Sequence, residues 1–437
     1  MEDIYIPETD QPRIVVIGGG FAGINFAKKL VNKNFQIVII DKNNFHQFPP
    51  LLYQVATSGL EPDAISFTLR KIFRNAKNIF FRMADVLKID PTNNTLLTSI
   101  GSIRYDYLVI ATGTTNNFYG LEQVQKHALS LKSIQEALDI RSAVLQNLER
   151  ASNTNNHVHH KRLTNIVICG GGPAGVELAG AFAEFKQFIF NKDYKELSPD
   201  LLQIYLIEAN EELLATMSDK SSINAREILE TNGVKVLLNT LVRDFDGNTV
   251  TLGDGSTIES ENVIWAAGIK GNMIPGFKEE IVRGNRLEVN RQLRVIGKEK
   301  IYAIGDIAYM VEEDWPKGHP QVAPAAIQHG KFLGDLFLKN LPAKDMFSYR
   351  DKGQLATIGK RNAVLDKGNF HISGLLGWFL WATVHLYSIS GFKNKLRVGI
   401  NWMNSYFTYE KQNRLIIRKY ELHVNRIKGP VKESLDL

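Results

Sequence analysis

Two glycine-rich segments of the sequence have a spacing that points to chemistry. Both follow the pattern GxGxxG, and their glycines are Gly18, Gly20 and Gly23, then Gly170, Gly172 and Gly175. In such a turn the first glycine lets the chain change direction, and the second lets a pyrophosphate approach the backbone. The third lets a helix pack closely on a strand, so that N–H groups at the helix N-terminus point at phosphate. The pattern therefore predicts two dinucleotide sites.

The residues around the first turn predict the elements that would position it. Residues 14–17 are a short apolar run typical of a buried strand, and residues 22–30 have helical character. Residues 36–40 predict a second strand that ends at Asp41, where a carboxylate can accept hydrogen bonds from a ribose. Strand, turn, helix, strand and terminal acid together favour a Rossmann-like unit over a coincidental glycine turn.

The second turn repeats this arrangement. Residues 166–169 predict a strand, residues 176–190 a helix, and residues 203–207 a second strand that ends at Glu208. Two such units in one chain are hardly a coincidence. The predicted fold class is α/β, with two Rossmann-like dinucleotide-binding domains.

The order of the two units indicates which cofactor each would hold. Two nucleotides held face to face suit hydride transfer, because a nicotinamide must stack on a flavin. The first unit, with the distant Gly305-Asp306 strand, would enclose FAD, and the second would take NADH. A carboxylate at Glu208 accepts hydrogen bonds from a 2′-hydroxyl and repels a 2′-phosphate, so NADH is favoured over NADPH. The alternative is that Glu208 is an ordinary exposed residue and another acid has this role.

Composition limits the chemistry that the chain can perform. The chain has 437 residues and one cysteine, Cys169, which excludes a disulfide framework or an internal redox dithiol. Cys169 lies in an apolar run and is expected to be buried. Three histidines fall within the polar segment 151–162, which is interpreted as a solvated loop, and no metal site is predicted. The acidic, polar N-terminus resembles neither a secretion nor a mitochondrial signal, which favours the cytoplasm.

The C-terminal region differs in composition from the rest of the chain. Residues 369–392 contain no Lys, Arg, Asp or Glu, so a membrane-spanning helix is one interpretation. The strongly apolar part, residues 375–386, is short for a span, and a buried or interfacial helix is favoured. From Lys393 onward, the excess of basic residues equals the net charge of the whole chain, +6.

Residues 396–409 have an amphipathic helical pattern. The apolar arc comprises Leu396, Val398, Ile400, Trp402, Met403, Tyr406 and Phe407. Aromatic side chains suit the lipid headgroup level, and the neighbouring basic residues suit an anionic membrane surface. The alternative is that the arc packs as ordinary core on the flavin domain or on a dimer partner, and a homodimer remains possible.

Several motifs resemble those of a known family. The segments FPPLLYQVATSGLEP, VIWAAGI and APAAIQHG, with the aromatic and basic tail, resemble the type II NADH:quinone oxidoreductases. These belong to the flavoproteins with two dinucleotide-binding domains of the glutathione reductase type. The resemblance covers nearly the whole chain. The expected domains are an FAD-binding domain of residues 1–160 and 276–345, an inserted NADH-binding domain of residues 161–275, and a membrane-anchoring region of residues 346–437.

The resemblance also implies site residues. The cofactor-binding residues would be Gly18, Gly20, Phe21, Ala22, Gly23, Asp41, Ala111, Thr112, Gly113, Gly170, Gly172, Pro173, Ala174, Gly175, Glu208, Ala267, Gly268, Gly305, Asp306, Ala325 and Ala326. The quinone contacts would be Pro50, Tyr53, Gln328 and His329. Independently of the family, a helix that begins near Ala325 could aim N–H groups at the flavin.

Two residues would have catalytic roles. Glu177 matches the family acid near the nicotinamide and the flavin, although it could instead be a first-turn carboxylate favoured by the helix dipole. Gln328 matches the second glutamine of the AQxAxQ quinone motif. Pro324 stands where the family commonly has the first glutamine, which leaves Gln328 as the candidate to bind a quinone carbonyl.

The resemblance implies a monotopic FAD enzyme that passes two electrons from NADH to a membrane quinone on the cytoplasmic face of a bacterial membrane. No chain of intramembrane carboxylates or histidines is visible, so proton pumping is not expected. One alternative is a soluble NADH-dependent ferredoxin or rubredoxin reductase, for which the tail has no purpose. A second is a slowly turning-over flavoprotein similar to apoptosis-inducing factors. A nucleic-acid binder would explain the basic tail but not the glycine turns, and no nucleic-acid partner is expected.

Overall fold

The computed structural model describes residues 2–339, 345–408, 413–416 and 419–420. The chain divides into two compact units, each assembled from three stretches of sequence. The first unit is formed by the described residues within 1–47, 66–115 and 269–352. The second is formed by those within 48–65, 116–268 and 353–437.

A five-stranded parallel sheet forms the centre of the first unit. Its strands, in order across the sheet, are Ile301–Ala303, Tyr107–Ile110, Arg13–Ile17, Gln36–Asp41 and Ile79–Met83. Ile14, Val15 and Val16 of the central strand are fully buried, as expected for a strand covered on both faces. Two helices, Phe21–Lys29 and Ala323–Leu338, contribute to the same core.

Smaller elements complete the first unit. They are the antiparallel pair Phe45–Gln47 and Ser66–Thr68, the antiparallel sheet Val86–Asp90, Thr95–Thr98 and Gly101–Arg104, the mixed sheet Val282–Arg283, Arg286–Glu288 and Ala308–Tyr309, the strand Ile269–Gly271, the helix Leu69–Ile72, and the 3₁₀ turns Glu279–Ile281 and Gly305–Ile307.

The second unit has a five-stranded parallel sheet of its own. The order across it is Leu129–Ser130, Asn262–Trp265, Ile166–Cys169, Ile204–Ile207 and Val234–Leu237. Two antiparallel sheets accompany it, Val242–Phe245 with Thr249–Leu252 and Thr257–Glu259, and Gln354–Thr357 with Ala363–Lys367 and Phe370–Ile372. The helices are Leu52–Ala56, Glu122–His127, Ile134–Ser152, His157–Thr164, Pro173–Phe185, Asn191–Asp193, Asp219–Thr231, Gly374–Ser388 and Phe392–Thr408, with short turns at Pro49–Leu51, Pro62–Ala64 and Pro199–Leu201.

The two parallel sheets with their glycine turns confirm the predicted α/β class with two Rossmann-like domains. Three element predictions need correction. The helix expected to begin near Ala325 begins at Ala323, because Pro324 is tolerated within a first helical turn. The helix expected over residues 176–190 begins at Pro173 and becomes π-helical after Phe185.

The third correction concerns the polar segment interpreted as a loop. Its second half forms the helix His157–Thr164. Asn156 precedes this helix, and its side-chain oxygen accepts a hydrogen bond from the His159 N–H at 3.4 Å. Asparagine is a favoured residue at such a helix start. Asn156 could therefore have indicated this helix, but the polar composition of the segment favoured a loop. Cys169 is buried in a strand, as predicted.

The C-terminal region contains two helices, Gly374–Ser388 and Phe392–Thr408. The first covers most of the predicted apolar helix, and the second covers the predicted amphipathic helix as far as Thr408. Within the described parts of the chain, no helix combines the length and the apolar character needed to cross a membrane. Tyr409 and most of the basic residues after it lie outside the described residues, as do the side chains of Tyr406 and Phe407.

Candidate active site

The first glycine turn is folded so tightly that two of its positions require glycine. Gly18 has a φ of +107°, and a Cβ there would collide with the Ala111 carbonyl oxygen. A Cβ at Gly23 would collide with the carbonyl oxygen of Gly18. Phe21 and Ala22 begin the following helix, so the helix N-terminus lies directly against the turn.

The second turn, in the second unit, has the same construction. Gly170 has a φ of +112°, and a Cβ there would lie 2.6 Å from the Ala267 Cα. A Cβ at Gly175 would collide with the Gly170 carbonyl oxygen. Pro173 and Ala174 form the exposed first turn of the helix that follows.

The middle glycine of each turn is not required by the protein itself. Gly20 has a φ of −78° and Gly172 a φ of −72°, which any residue adopts. A Cβ at either position would meet no atom within 4 Å. Both positions lie at a helix N-terminus, which is where a pyrophosphate binds. A side chain there would occupy the space that the pyrophosphate needs. Both turns therefore fit a dinucleotide, as predicted for FAD and NADH.

Asp41 and Glu208 each accept hydrogen bonds from the glycine turn that precedes them, and the two patterns are alike. Asp41 Oδ2 accepts a hydrogen bond from the Gly19 N–H at 2.6 Å, and Glu208 Oε2 accepts one from the Gly171 N–H at 2.5 Å. The other oxygen of each accepts a hydrogen bond from the backbone two residues further on. Burial raises the pKa of Asp41, while its hydrogen bonds oppose that rise. Glu208 Oε1 also accepts a hydrogen bond from the Asn210 side-chain amide at 2.6 Å. Both oxygens of Asp41 and the Oε2 atom of Glu208 can each accept a further hydrogen bond, so both positions remain compatible with a ribose.

Predicted FAD residues from distant parts of the sequence meet in the first unit. Gly305 has a φ of +72°, and a Cβ there would lie 3.0 Å from the Ala22 Cβ and 3.3 Å from the Ala326 Cβ. Ala325 and Ala326 are buried in the first turns of their helix. Asp306 directly follows Gly305 and lies at the same junction. The ends of two helices and of one sheet strand therefore converge there.

The segment Ala111-Thr112-Gly113 continues the strand Tyr107–Ile110 of the same sheet. The Thr112 Oγ1 atom is buried and has no hydrogen-bond partner among the described residues. The Gly113 carbonyl accepts a hydrogen bond from the Asn272 N–H at 2.9 Å. An unpaired buried hydroxyl beside the first turn fits a polar ligand there, because such groups are costly to leave unsatisfied.

Tyr119 covers the corresponding Ala267-Gly268 turn of the second unit. Its hydroxyl donates to the Ala267 carbonyl at 3.3 Å, and a Cβ at Gly268 would lie 2.8 Å from its ring. Tyr119 is 64% exposed, so it can move without disturbing a core. Sequence reasoning did not single out this residue, because no local pattern connects it with a turn about 150 positions away.

Glu177 is a buried carboxyl group of the helix Pro173–Phe185. The residue is only 8% exposed, and desolvation raises its pKa from 4.5 to about 8. The Thr357 N–H lies 3.5 Å from Glu177 Oε1. The Trp381 indole N–H approaches the carboxyl without ordinary hydrogen-bond geometry, and both groups oppose the rise in pKa. A helix dipole alone would lower the pKa, so the interpretation as a simple first-turn carboxylate does not describe Glu177.

A hydrogen-bonded chain connects Tyr53 with the C-terminal helices in the second unit. Gln54 Nε2 donates to the Tyr53 hydroxyl at 2.8 Å, and Trp402 Nε1 donates to Gln54 Oε1 at 2.8 Å. Burial, followed by the charge of the nearby Glu177, raises the pKa of Tyr53 well above its ordinary value. Tyr53 therefore keeps its proton. The predicted Pro50 is half-buried in the turn just before the helix of Tyr53.

The other two predicted quinone residues lie in the first unit and already have partners. Gln328 Nε2 donates to the Arg350 carbonyl at 2.9 Å, and Gln328 Oε1 accepts from the Arg350 N–H at 3.1 Å. His329 is 1% exposed, and both of its ring nitrogens are hydrogen-bonded. Each bond to Arg350 uses only one amide hydrogen or one oxygen lone pair, so the second Nε2 hydrogen of Gln328 can still donate to a quinone carbonyl. His329 is buried and fully partnered, which suits a role inside the protein.

Comparison with known proteins shows the family to which the chain belongs. Residues 12–330 match the family described as pyridine nucleotide-disulphide oxidoreductase, and this match, with the two turns, defines the class of the chain. Residues 352–409 match the family described as the NDH2 C-terminal domain. The chain belongs to the type II NADH:quinone oxidoreductases, as its motifs predicted.

Individual relatives span nearly the whole chain. It is 30% identical to the type II NADH:quinone oxidoreductase Ndh of Mycobacterium tuberculosis, over 89% of this chain and 87% of the relative. It is 31% identical to the type II NADH:quinone oxidoreductase NdhA of the same organism, over 89% of this chain and 86% of that relative. Its fold resembles that of NDH2 from Plasmodium falciparum solved in complex with NADH, with a TM-score of 0.85 and 22% identity, over 93% of this chain and 100% of the other.

Proposed function

We propose that this protein oxidises NADH and, through bound FAD, reduces a membrane quinone. The observation that carries this proposal is the presence in one chain of two matching glycine turns and a buried carboxyl group, Glu177, which lies beside the Trp381 indole of the helix Gly374–Ser388. FAD, when bound, accepts a hydride from NADH and passes electrons onward.

The chain's own residues divide the binding work between the two units. In the first unit, Gly18, Gly20 and Gly23 would hold the FAD pyrophosphate, Asp41 the adenosine ribose and Asp306 the ribityl region. In the second unit, the turn at Gly170, Gly172 and Gly175 would hold NADH. Glu208 accepts hydrogen bonds from a 2′-hydroxyl and repels a 2′-phosphate, which supports NADH over NADPH.

Glu177 is suited to supplying a proton to the acceptor. Reduction of a quinone to a quinol takes up two electrons and two protons. Because its pKa is raised to about 8, Glu177 is protonated at neutral pH and can donate, then recover its proton from solvent. The Tyr53 hydroxyl, polarised by Gln54, is a second hydrogen-bond donor in the same unit.

Cys169 supports the choice of a diffusible acceptor. It is the only cysteine of the chain, it is buried in a central strand, and burial raises its thiol pKa to about 12. Disulfide reductases of this class need a cysteine pair. Electrons from the flavin must therefore pass directly to an external oxidant, for which a quinone is the proposed identity.

An exposed apolar surface on the two C-terminal helices supports a membrane location. Large side chains with more than a third of their surface exposed are Leu375, Leu376, Phe379, Val384, Tyr387, Phe392, Leu396, Ile400 and Met403. Asn394, in the same region, is buried. Exposed large apolar side chains clustered in one stretch of chain mark an interaction surface. The nearby Lys393 and Lys395 favour anionic lipid.

The proposed location is the cytoplasmic face of a bacterial membrane, with monotopic attachment and without proton pumping or a nucleic-acid partner. A second copy of the chain is the other occupant that this apolar face could have. The mass of the protein in detergent, with and without lipid vesicles, separates a homodimer from lipid binding.

The test of the proposed function is direct. The protein is purified in detergent, its flavin spectrum is recorded, and NADH oxidation is measured with a long-chain quinone and with ferricyanide. The expected result is a yellow protein that reduces the quinone and prefers NADH to NADPH. Activity with ferricyanide alone would contradict the quinone assignment, and a colourless protein that takes up no FAD would contradict the whole proposal.

A further inference from the structure

Three polar side chains form a buried line that ends at the Gly305-Asp306 turn of the first unit. The Gly305 N–H donates to His329 Nδ1 at 3.1 Å, and His329 Nε2 lies 3.1 Å from His319 Nδ1. His319 Nε2 lies 3.5 Å from Glu312 Oε1. His319 and His329 are 2% and 1% exposed. Neither histidine is needed for the electron transfer described above.

The backbone donor at one end determines where the protons lie along this line. Because Gly305 donates to His329 Nδ1, that nitrogen carries a lone pair, and the proton of neutral His329 lies on Nε2. That proton can be shared only with a lone pair on His319 Nδ1, which places the proton of His319 on Nε2. The His319 N–H then points to the Glu312 carboxylate. This arrangement of protons satisfies both hydrogen bonds of His329, whereas His319 Nε2 and Glu312 Oε1 approach each other at 3.5 Å without ordinary hydrogen-bond geometry.

The surroundings keep both rings neutral and in place. Phe347 packs edge-on against both imidazoles, with ring centroids 4.7 Å from His329 and 5.6 Å from His319. Burial lowers the pKa of His329 to about 3, and it also lowers the pKa of His319 although Glu312 opposes this. A protonated His329 would lose the lone pair that Gly305 needs.

Charged groups meet the line from two further elements. Arg286 donates to the His319 carbonyl at 2.8 Å and opposes protonation of both rings. Arg291 Nε lies 3.4 Å from Glu312 Oε1. Ser348 donates to the other oxygen of Glu312 at 3.2 Å. These contacts hold the Glu312 side chain in place at the outer end of the line.

We propose that Glu312, His319 and His329 form a positioning relay that holds the Gly305-Asp306 turn in the conformation required to bind FAD. The hydrogen bond between the two rings and the hydrogen bond from the Gly305 N–H polarise each other. The Glu312 charge acts on the outer ring electrostatically, across 3.5 Å. The three are positioning residues, because they act through Gly305 and its neighbour Asp306. The proposal rests on the proposed function, in which Asp306 contacts FAD.

The first test requires no substitution. The two-bond ¹H–¹⁵N spectrum of histidine-labelled protein reports which ring nitrogen carries the proton. Once the resonances of His319 and His329 are assigned by substituting each in turn, the expected spectrum has both in the Nε2–H form, without titration between pH 5 and pH 8. A spectrum in which His319 or His329 has its proton on Nδ1, or is doubly protonated at neutral pH, would overturn the relay.

The second test measures FAD affinity after removal and readdition of the cofactor. His329→Leu removes the acceptor and leaves a buried N–H unpaired, so FAD should bind about tenfold to a hundredfold more weakly. His329→Gln offers an amide oxygen to Gly305 and an amide N–H to His319, and should restore most of the affinity. Glu312→Gln should have a smaller effect. The matched control is His159→Leu, on an exposed part of the second unit.

The outcomes separate the relay from the proposed function. Equal FAD affinity in the Leu and Gln variants at position 329, in a wild-type protein that binds FAD, would overturn the relay and leave the proposed function intact. A wild-type protein that binds no FAD, yet has the expected histidine protonation, would contradict the proposed function and the purpose assigned to the relay. Loss of stability in both variants with unchanged FAD affinity would show a purely structural role and would also overturn it.

Discussion

Replacing Glu177 by glutamine should change how the stability of the protein depends on pH. In the folded protein the pKa of Glu177 is raised from 4.5 to about 8 by burial. The stabilising effect of this bound proton is complete below the unfolded pKa and is lost as pH rises through the folded one. One pKa unit corresponds to about 1.4 kcal/mol, so the whole difference is about 5 kcal/mol, of which about 3 kcal/mol falls between pH 6 and pH 9.

The assay is the free energy of unfolding by denaturant at pH 6 and pH 9. Wild type should lose about 3 kcal/mol more than Glu177→Gln over this range, because glutamine has no proton to release. Glu227→Gln, on the exposed face of the helix Asp219–Thr231, is the matched control and should retain the wild-type dependence.

Rapid kinetics on the same variant tests the catalytic role. Reduction of the bound flavin by NADH should be unchanged, whereas reoxidation by quinone should slow by about a hundredfold, a typical contribution of a general acid. An identical pH dependence of stability in the wild type and the Gln variant would refute the raised pKa. Equal slowing of both half-reactions would refute the assignment of the proton donor.

Three further substitutions have definite expected results. Glu208→Arg should shift the ratio of kcat/KM values toward NADPH, and unchanged selectivity would mean that another acid contacts the ribose. Gln328→Ala should slow quinone reduction more than flavin reduction, whereas equal slowing of both with a lower melting temperature would mean that its bonds to Arg350 are its only role. Phe379→Glu should weaken sedimentation with anionic vesicles, while Ile223→Glu, equally exposed but far along the chain on another helix, should not. Equal loss in both variants would place lipid binding elsewhere.

Local sequence patterns predicted the parts of the fold that depend on local physics. The two turns could be recognised because Gly18 and Gly170 need a positive φ, and because Gly23 and Gly175 lie too close to a carbonyl oxygen for any side chain. The acids at positions 41 and 208 follow from the same pattern, although their bonds to the Gly19 and Gly171 N–H groups do not. The order of the two units suggested which cofactor each would hold, and family resemblance then supplied Glu177.

The residues that sequence reasoning missed depend on contacts between distant parts of the chain. Thr357 lies 180 positions from Glu177, and no periodicity connects them. Likewise, the hydrogen bond from Trp402 to Gln54 joins residues 348 positions apart. The motif match at Gln328 could not show that its amide makes two hydrogen bonds to the Arg350 backbone. The predicted site roles and domain boundaries stay predictions until the variants above are measured.

The close approach of the C-terminal sheet to the helix of Glu177 has an evolutionary consequence. A Cβ at Gly180 would lie 2.7 Å from the Gly359 backbone nitrogen, so the helix touches the turn between the strands Gln354–Thr357 and Ala363–Lys367 without an intervening side chain. Recombination that exchanged the C-terminal segment for another would also remove the contacts of Thr357 and Trp381 with the carboxyl group. The proposed lipid surface and the surroundings of this carboxyl group would therefore have to change together.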